Sequence, residues 1–405
     1  MPRAGQVKPL TDERLSDRIA IGVLTQTFTP VAVDAAVAAT DRGEVRSRLL
    51  PARVTVYYVL AMCLFAGQGY EEVMRLLVGG LEWLGRWRRV WTVPSTAAIA
   101  KARARLGPEP LRELFDRSVR PLATEATRGA WYRDLRLVAI DGATLDLPDT
   151  VENDGHFGRP GSSRGEGRGA FPQVRLVGLG ECGTHAVFAT AIGPYSQAEK
   201  TLATQILPKL ERNMLLLADR GFLSYELWQA AVGTGAQLLW RASATFTLPV
   251  LEVLPDGSYL SRLVPGKGTG PHKAGAGPIT VRVVEYTIDD GRAPQGEHYR
   301  LVTTLLDPDQ APAAELAELY AQRWEFENTL DELKTHQRGA KVILRSKSPD
   351  GVQQEVWGFL LVHWAIRELM HAAALDADID PDRVSFIRTL RLARRTVTEQ
   401  AAFSP

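Results

Sequence analysis

The stretch Tyr320-Ala-Gln-Arg323-Trp324-Glu-Phe-Glu327-Asn-Thr-Leu-Asp-Glu-Leu-Lys334 reads as helix. It is built of strong helix formers without Gly or Pro, and Pro312 stands shortly upstream, where a first turn tolerates it. At about 100° per residue, Tyr320, Arg323, Glu327 and Lys334 fall at roughly 0°, −60°, −20° and −40°, one narrow arc. Leu319, Phe326, Leu330 and Leu333 fall at roughly −80° to −140°, the adjoining sector, and are expected to face the core. A rim position of this kind holds a carboxylate and two cations rigidly while leaving them accessible. Taken alone, the same spacing also describes an ordinary amphipathic helix whose Arg and Glu pair at i,i+4, which adds only a few tenths of a kcal/mol.

Upstream, residues 1–130 read as a helical N-terminal domain. An apolar segment, Val54 to Gly67, contains Tyr57, Tyr58 and Cys63 and fits a buried helix. Glu71 to Leu84 is a second, amphipathic helix. The basic, tryptophan-interleaved stretch Gly85 to Trp91 carries Arg88 and Arg89. Ser95 is a good N-cap for a helix through Leu106, stopped by Gly107-Pro108, which carries Lys101, Arg103 and Arg105. These five cations form a candidate phosphate-binding patch, equally readable as a solvated helix face beside core tryptophans.

From Trp131 the pattern changes to strands. Leu135 to Ile140, a hairpin of Phe171 to Leu179 with His185 to Ile192, a helix Ser196 to Leu210, a strand Met214 to Ala218, a helix Ser224 to Val232 and a strand Gln237 to Ala242 follow in order. This order implies an α/β fold with a mixed sheet, antiparallel in its first three strands and joined later by helical crossovers. Residues 131–243 are therefore the first part of a core, and the Gly- and Pro-rich residues 244–300 a β-strand insertion. Residues 301–345 return to the core with the Glu327 helix, and 346–405 form a helical C-terminal region, with helices expected at Val356 to Ala374 and Asp380 to Arg395.

At 405 residues the chain can bury two or three substantial domains. A net charge of +1 gives no general attraction for nucleic acid, so such a partner must be met by local basic patches. Two cysteines, Cys63 and Cys182, exclude a disulfide framework and a Cys-based zinc site, and a reducing cytoplasm fits best. No signal core opens the chain and its longest apolar run is too short to span a bilayer, so no membrane partner is expected.

Asp141 and Asp219 each end a short apolar strand, and Glu327 sits on the helix rim. Strand-end carboxylates of an open sheet project into the crevice where such folds place their sites. Three at one locus repel unless cations neutralise them, and all-oxygen ligation selects Mg²⁺ or Mn²⁺ over zinc. Two such ions can activate a water or a 3′-hydroxyl and stabilise the leaving oxygen of a phosphodiester. Arg323, bidentately, and Lys334 would hold flanking phosphates, and Tyr320 could donate to another phosphate oxygen. Singly, Asp141-Gly142 also reads as a plain turn and Asp219-Arg220-Gly221 as a helix lead-in.

In combination these residues resemble the DDE transposases of the insertion-sequence-4 family. Tyr320, Arg323, Glu327 and Lys334 match the Tyr-x2-Arg-x3-Glu-x6-Lys signature in full, and Ile140-Asp141-Gly142 and Ala218-Asp219-Arg220-Gly221-Phe222 look like the two aspartate motifs. The gap from Asp219 to Glu327 far exceeds one helix and one strand, as in a family that fills it with a β-strand insertion. The stretch around Leu49 to Leu84 also looks like that family's N-terminal domain. The resemblance implies a ribonuclease-H-like catalytic core in which Asp141, Asp219 and Glu327 bind two Mg²⁺, with Mn²⁺ able to substitute. It implies nicking at an element's inverted-repeat end and attack by the new 3′-hydroxyl, through a hairpin in relatives, before joining to target DNA. It also implies double-stranded DNA as partner and a homodimer in the synaptic complex. Trp324 becomes a stacking surface for a flipped base, with a core role as the alternative. The insertion has no tryptophan, so Phe246, Tyr259, Tyr286 or Tyr299 would supply any aromatic it needs. The competing readings are a catalytically silent DNA-end-binding protein and a related metal-dependent nuclease.

Overall fold

A computed structural model of the chain describes residues 23–43, 50–82, 93–161, 168–265, 277–288, 297–339 and 343–396. The chain opens with helices α1 (Val23–Thr27), α2 (Pro30–Ala39), α3 (Ala52–Leu64), α4 (Tyr70–Glu82), α5 (Thr96–Leu106) and α6 (Glu109–Ser118). Helix α3 is apolar all round and is buried over nearly its whole length. Its tyrosines bury their rings only because each hydroxyl finds a carbonyl: Tyr57 donates to Phe28 O at 2.6 Å and Tyr58 to Tyr70 O at 3.0 Å. Ser95 caps α5 as expected, its hydroxyl accepting from Ala98 N at 3.3 Å.

The sheet follows as β1 (Trp131–Tyr132), β2 (Leu135–Asp146), α7 (Val151–Phe157), β3 (Gln173–Glu181), β4 (Val187–Pro194), α8 (Glu199–Ile206), β5 (Met214–Ala218), α9 (Tyr225–Val232) and β6 (Gln237–Arg241). Strands β7 (Glu252–Val253), β8 (Tyr259–Leu263), β9 (Ile279–Ile288) and β10 (Glu297–Thr303) then precede α10 (Ala313–Leu319), α11 (Trp324–Asp331), α12 (Pro349–Asp376) and α13 (Phe386–Thr396). The strand order is β4-β3-β2-β5-β6-β10-β9-β8-β7, with β1 beside β2. Strands β2, β3 and β4 are antiparallel, whereas β2, β5 and β6 are parallel, their crossovers made by α8 and α9. This is the mixed sheet that the element order implied. All five residues of β5 are buried, which is why that strand reads as continuous Met-Leu-Leu-Leu-Ala instead of alternating.

The insertion strands do not form a sheet of their own. Strand β10 pairs antiparallel with β6, and β9, β8 and β7 continue outward from it. The fully buried Arg282 ties this extension to the chain leading into α10. Its Nε donates to Ser258 Oγ at 2.7 Å, its Nη1 to Ala311 O at 2.6 Å, and it pairs with Asp256. Asp256 in turn accepts from Ala313 N at 2.8 Å.

The C-terminal helices begin elsewhere than the sequence suggested, because Ser348 supplies an N-cap hydroxyl and Pro349 a preset first turn. Helix α12 packs against α3, α6 and β4, so the N-terminal helices and the sheet share one continuous core. Gly358 permits the close crossing with α3: a methyl there would lie 2.8 Å from Cys63 Sγ. Two buried polar groups near the start of α12 are keyed to partners. Gln354 donates to Arg103 O and Gly107 O, and Glu355 accepts from Arg345 N, Ser346 N and Ser346 Oγ.

The segment from Tyr320 to Lys334 docks through Phe326, whose ring lies on the strip of β3 left bare by Gly178 and Gly180. A methyl on Gly180 would overlap that ring, and one on Gly178 would stand 3.2 Å from Phe326 Cζ. Phe326, Leu330 and Leu333 are buried and Leu319 packs at the core's edge, as the periodicity requires. Phe326→Ala should destabilise by about 3–5 kcal/mol and Gly180→Ala by about 1–3 kcal/mol in denaturant unfolding. The double variant should cost less than the two added together, because the smaller side chain makes room for the methyl.

Candidate active site

Two parallel strands bring the aspartates together. The β2–β5 ladder runs from Arg136↔Met214 to Ile140↔Ala218, so Asp141 and Asp219 are the next residues on strands about 4.8 Å apart. Asp219 ends its strand as expected. Asp141 does not: β2 runs on to Asp146, and Asp141 pairs with Gly178 of β3. It stands instead where the parallel partner leaves, which opens the same gap. Gly178 also receives the Phe326 ring, and the residue after Phe326 is Glu327. One contact thus delivers the third carboxylate to the first.

The segment carrying the signature is not one regular helix. It tightens to a 3₁₀ turn at Tyr320–Arg323, runs as α11, and widens to a π turn at Glu332–Gln337. Such changes of pitch concentrate at functional sites. Here they separate side chains that a uniform helix would align. Tyr320, 3% exposed, is not at an accessible rim, and its hydroxyl donates to Ala218 O at 3.2 Å. It clamps the helix to the end of β5 beside Asp219. Arg323, 5% exposed, donates from Nη1 to Glu327 Oε1 at 2.7 Å, and its Nε is buried without a partner. Its guanidinium carbon lies 4.7 Å from the centre of the Trp324 ring, which is 51% exposed. Trp324 is therefore not a core residue.

The electrostatics tie these groups into one locus. Burial pushes the Asp141 carboxyl up to about 6, reinforced by the Glu327 and Glu199 charges and opposed by Gly142 N–H and Arg323. Burial also works against the Arg323 charge, yet Tyr320, Glu327 and Asp219 together hold it above its ordinary value. Lys334 lies half-buried on the π turn, where burial lowers its pKa and the Asp141 and Glu199 carboxylates partly restore it. A desolvated acid beside two further acids is a site short of positive charge, and its donors are all carboxylate oxygens. That set suits two hard cations and not zinc. Asp141, Asp219 and Glu327 share this locus but do not all bring a ligand atom within 4.8 Å of one another.

A second charged group backs the same helix. The ligand atoms of His185, Glu325 and Asp382 lie within 4.8 Å of one another, with His185 Nε2 2.5 Å from Glu325 Oε2 and 3.2 Å from Asp382 Oδ1. Glu325 and Glu327, two apart on a helix, point to opposite sides, so this group is separate from the acids above. Glu332 joins it, bound to Arg367 and to His363 Nε2 at 3.1 Å. Burial disfavours the Glu332 charge, but His185, His363 and Arg367 hold its carboxyl well below the usual range. His185 sits in the β3–β4 turn with a left-handed φ of 58°, strained for a non-glycine residue and fixed by these partners.

The basic patch is not assembled as the sequence suggested. Arg88 and Arg89 lie outside the described residues. Lys101 is exposed on α5, whereas Arg103 is buried and fully engaged with Gln354, Tyr70, Ser346 and Gly351. Arg103 keys α5 to α12 and is too buried to meet a phosphate. Arg105 is exposed and donates from Nη2 to Leu50 O at 3.2 Å. Sequence reasoning missed Glu199 and the Glu332–Arg367 lock. The only trace of the former was an acid opening the helix after the hairpin.

Two family models match the chain: "Insertion element 4 transposase N-terminal" over residues 18–116 and "Transposase DDE domain" over residues 132–365. The chain is 28% identical over 405 residues to the transposase InsG for insertion sequence element IS4 of Escherichia coli (strain K12), covering 99% of this chain and 88% of that one. It is 31% identical over 148 residues to the putative transposase InsZ of the same strain, covering 36% of this chain and 49% of that one. Among solved structures, a piggyBac transposase synaptic complex with hairpin DNA aligns with a TM-score of 0.48 and 11% identity, covering 94% of this chain and 82% of that one.

A carboxyl raised to about 6 from 3.8 stabilises the fold below the lower value and loses that contribution as pH rises through the upper one. In chelator, Asp141→Asn should therefore leave stability at pH 4 little changed and raise it at pH 7–8 by about 1–2 kcal/mol. Unfolding free energies measured across that range check the sign; a variant less stable at pH 8 contradicts it.

Proposed function

The chain belongs to the DDE-domain transposases of the insertion-element-4 type, and from that premise we propose that it cuts and rejoins the ends of an insertion sequence by cut-and-paste chemistry. Enzymes of this family depend on divalent metal. For this chain the ions are two Mg²⁺, held by Asp141, Asp219 and Glu327, with Mn²⁺ as substitute. Bound there, they supply Lewis-acid chemistry, lowering the pKa of an attacking water or hydroxyl and stabilising the leaving 3′-oxygen.

The residues do the rest. The water oxygen attacks phosphorus at the element's end, the phosphorus–O3′ bond breaks, and the released 3′-hydroxyl becomes the next nucleophile, first on the opposite strand and then on target DNA. Arg323 is pinned by Glu327, which fixes its guanidinium beside the acids as a cation for a phosphate oxygen. Lys334 acts as a point charge on the same strand. Trp324 offers an open ring face beside that grip, suited to an unstacked base. Within the insertion, Tyr286 stacks on Tyr299 at 5.2 Å and 16°, and Tyr299 meets Tyr320 edge-on at 6.3 Å. Tyr299 is thus the insertion aromatic that meets the signature segment, with half-exposed Tyr286 stacked on it, whereas the Tyr259 hydroxyl is bound to Glu285. The partners are double-stranded inverted-repeat ends and target DNA, met by a homodimer, in the cytoplasm. Among the described residues no helix is long and apolar enough to cross a membrane.

The observation that carries this reading is the shared register, in which Asp141 and Asp219 follow the same β2–β5 pair and Glu327 is tethered to Arg323 beside them. Asp141→Asn, Asp219→Asn and Glu327→Gln should each lower Mg²⁺-dependent nicking of a cognate end by roughly 10²–10³-fold with the fold intact. Full activity in any of them overturns the assignment. Wild-type binding without cleavage would indicate a silent end-binding protein, and nicking without joining a nuclease.

A further inference from the structure

A fourth carboxylate stands at the same locus. Glu199 opens α8, one chain segment beyond the hairpin, and its side chain folds over the α-carbon of Gly142. A methyl on Gly142 would lie 2.8 Å from Glu199 Oε1, 2.9 Å from Cδ and 3.3 Å from Cγ, so the glycine beside Asp141 is bare where the carboxylate rests. Among the described residues Glu199 makes no hydrogen bond or ion pair, although the adjacent Lys200 and the nearby carbonyl of Gln197 are both engaged. Lys200 Nζ donates to Leu223 O at 2.9 Å, and Arg175 Nη1 donates to Gln197 O at 3.0 Å. Its charge is felt by both Asp141 and Lys334. A half-buried carboxylate without a donor, set against another acid, is unfavourable unless a cation joins them.

We propose that Glu199 completes the ligand set of the ion that Asp141 would hold, making the pocket four carboxylates and not three. The proposal rests on the assignment of Asp141, Asp219 and Glu327 as metal-binding acids. Geometry favours it over a purely structural role. A structural Glu at a helix start normally accepts from its own helix or pairs with a neighbouring cation, and Glu199 does neither. Lys334, which feels both the Asp141 and the Glu199 charge, then meets a pocket whose negative charge exceeds what one lysine and one arginine can balance.

The test is Mn²⁺ binding to the full chain without DNA, by calorimetry and by electron paramagnetic resonance, beside melting temperatures in chelator and in Mn²⁺. Glu199→Gln should weaken Mn²⁺ binding by about 10-fold or more, with a melting temperature in chelator equal to or above wild type because a like-charge contact is gone. Its cleavage should need correspondingly more Mg²⁺ at half-saturation and recover at high Mg²⁺. Gly142→Ala, which displaces the carboxylate but keeps its charge, should weaken Mn²⁺ binding too, and it serves if Glu199→Gln folds poorly. Wild-type Mn²⁺ affinity in both variants, with binding lost in Asp141→Asn, overturns the role of Glu199 and leaves the triad standing. Unchanged binding in Asp141→Asn overturns the triad itself, and the proposal with it. Lower melting in chelator together with retained Mn²⁺ affinity would mark Glu199 as structural and overturn the proposal as well.

Discussion

The site exists because one aromatic ring finds two glycines. Phe326 can lie flat on β3 only where Gly178 and Gly180 present no side chains, and that seat fixes the depth and rotation of α11. Glu327 follows directly, and Gly178 is the register partner of Asp141. A helix far along the sequence is thereby held against the strand it must serve, by packing, which is directional only through the shape of the surface it meets. Tyr320 adds a second anchor, at the carbonyl of Ala218, next to the other aspartate. Two contacts, one apolar and one polar, span the pair of strands whose ladder ends at the carboxylates.

Around this seat the fold separates two kinds of charge. On the face toward Asp141 the acids outnumber the cations, and the desolvated carboxyl is held in tension that bound metal would relieve. On the opposite face, Glu325 and Glu332 are matched by His185, His363 and Arg367 across α11, the hairpin turn and α12. A buried network of this kind holds one arrangement, since removing one partner strands another. The helix is thus rigid behind and electrostatically unfinished in front, and the π turn lies where one face gives way to the other.

Most of the architecture was legible because it rests on local pattern. Continuous apolar runs marked β5 and α3, Ser95 and Gly107 bounded α5, and the strand–helix alternation gave the mixed sheet before any tertiary information. The candidate acids stood out as residues, since Asp141 and Asp219 follow apolar runs and Glu327 sits beside a core stripe. Their surroundings were not. Whether β2 stops at Asp141 depends on what β3 offers as partner, and a helix-wheel angle assumes a pitch that Tyr320–Arg323 and Glu332–Gln337 do not keep. Arg103 and Lys101 are alike in sequence, two residues apart, and only the arrival of α12 makes one structural and leaves the other in solvent. Glu199 had no signal at all beyond its charge, because its meaning comes from Gly142.

Helix α12 also imposes an order of assembly during synthesis. Helix α3 is nearly all apolar and completes its burial against α12, crossing it where Gly358 meets Cys63, yet the two lie at opposite ends of the chain. At a ribosomal pace of roughly 5–20 residues per second, the first helices emerge about 15–60 s before their partner. During that interval an oily surface must be shielded by its neighbours α2, α4 and α5 or by a chaperone. The nascent enzyme therefore closes its first-made and last-made parts together, and a chain released early would leave that seam open.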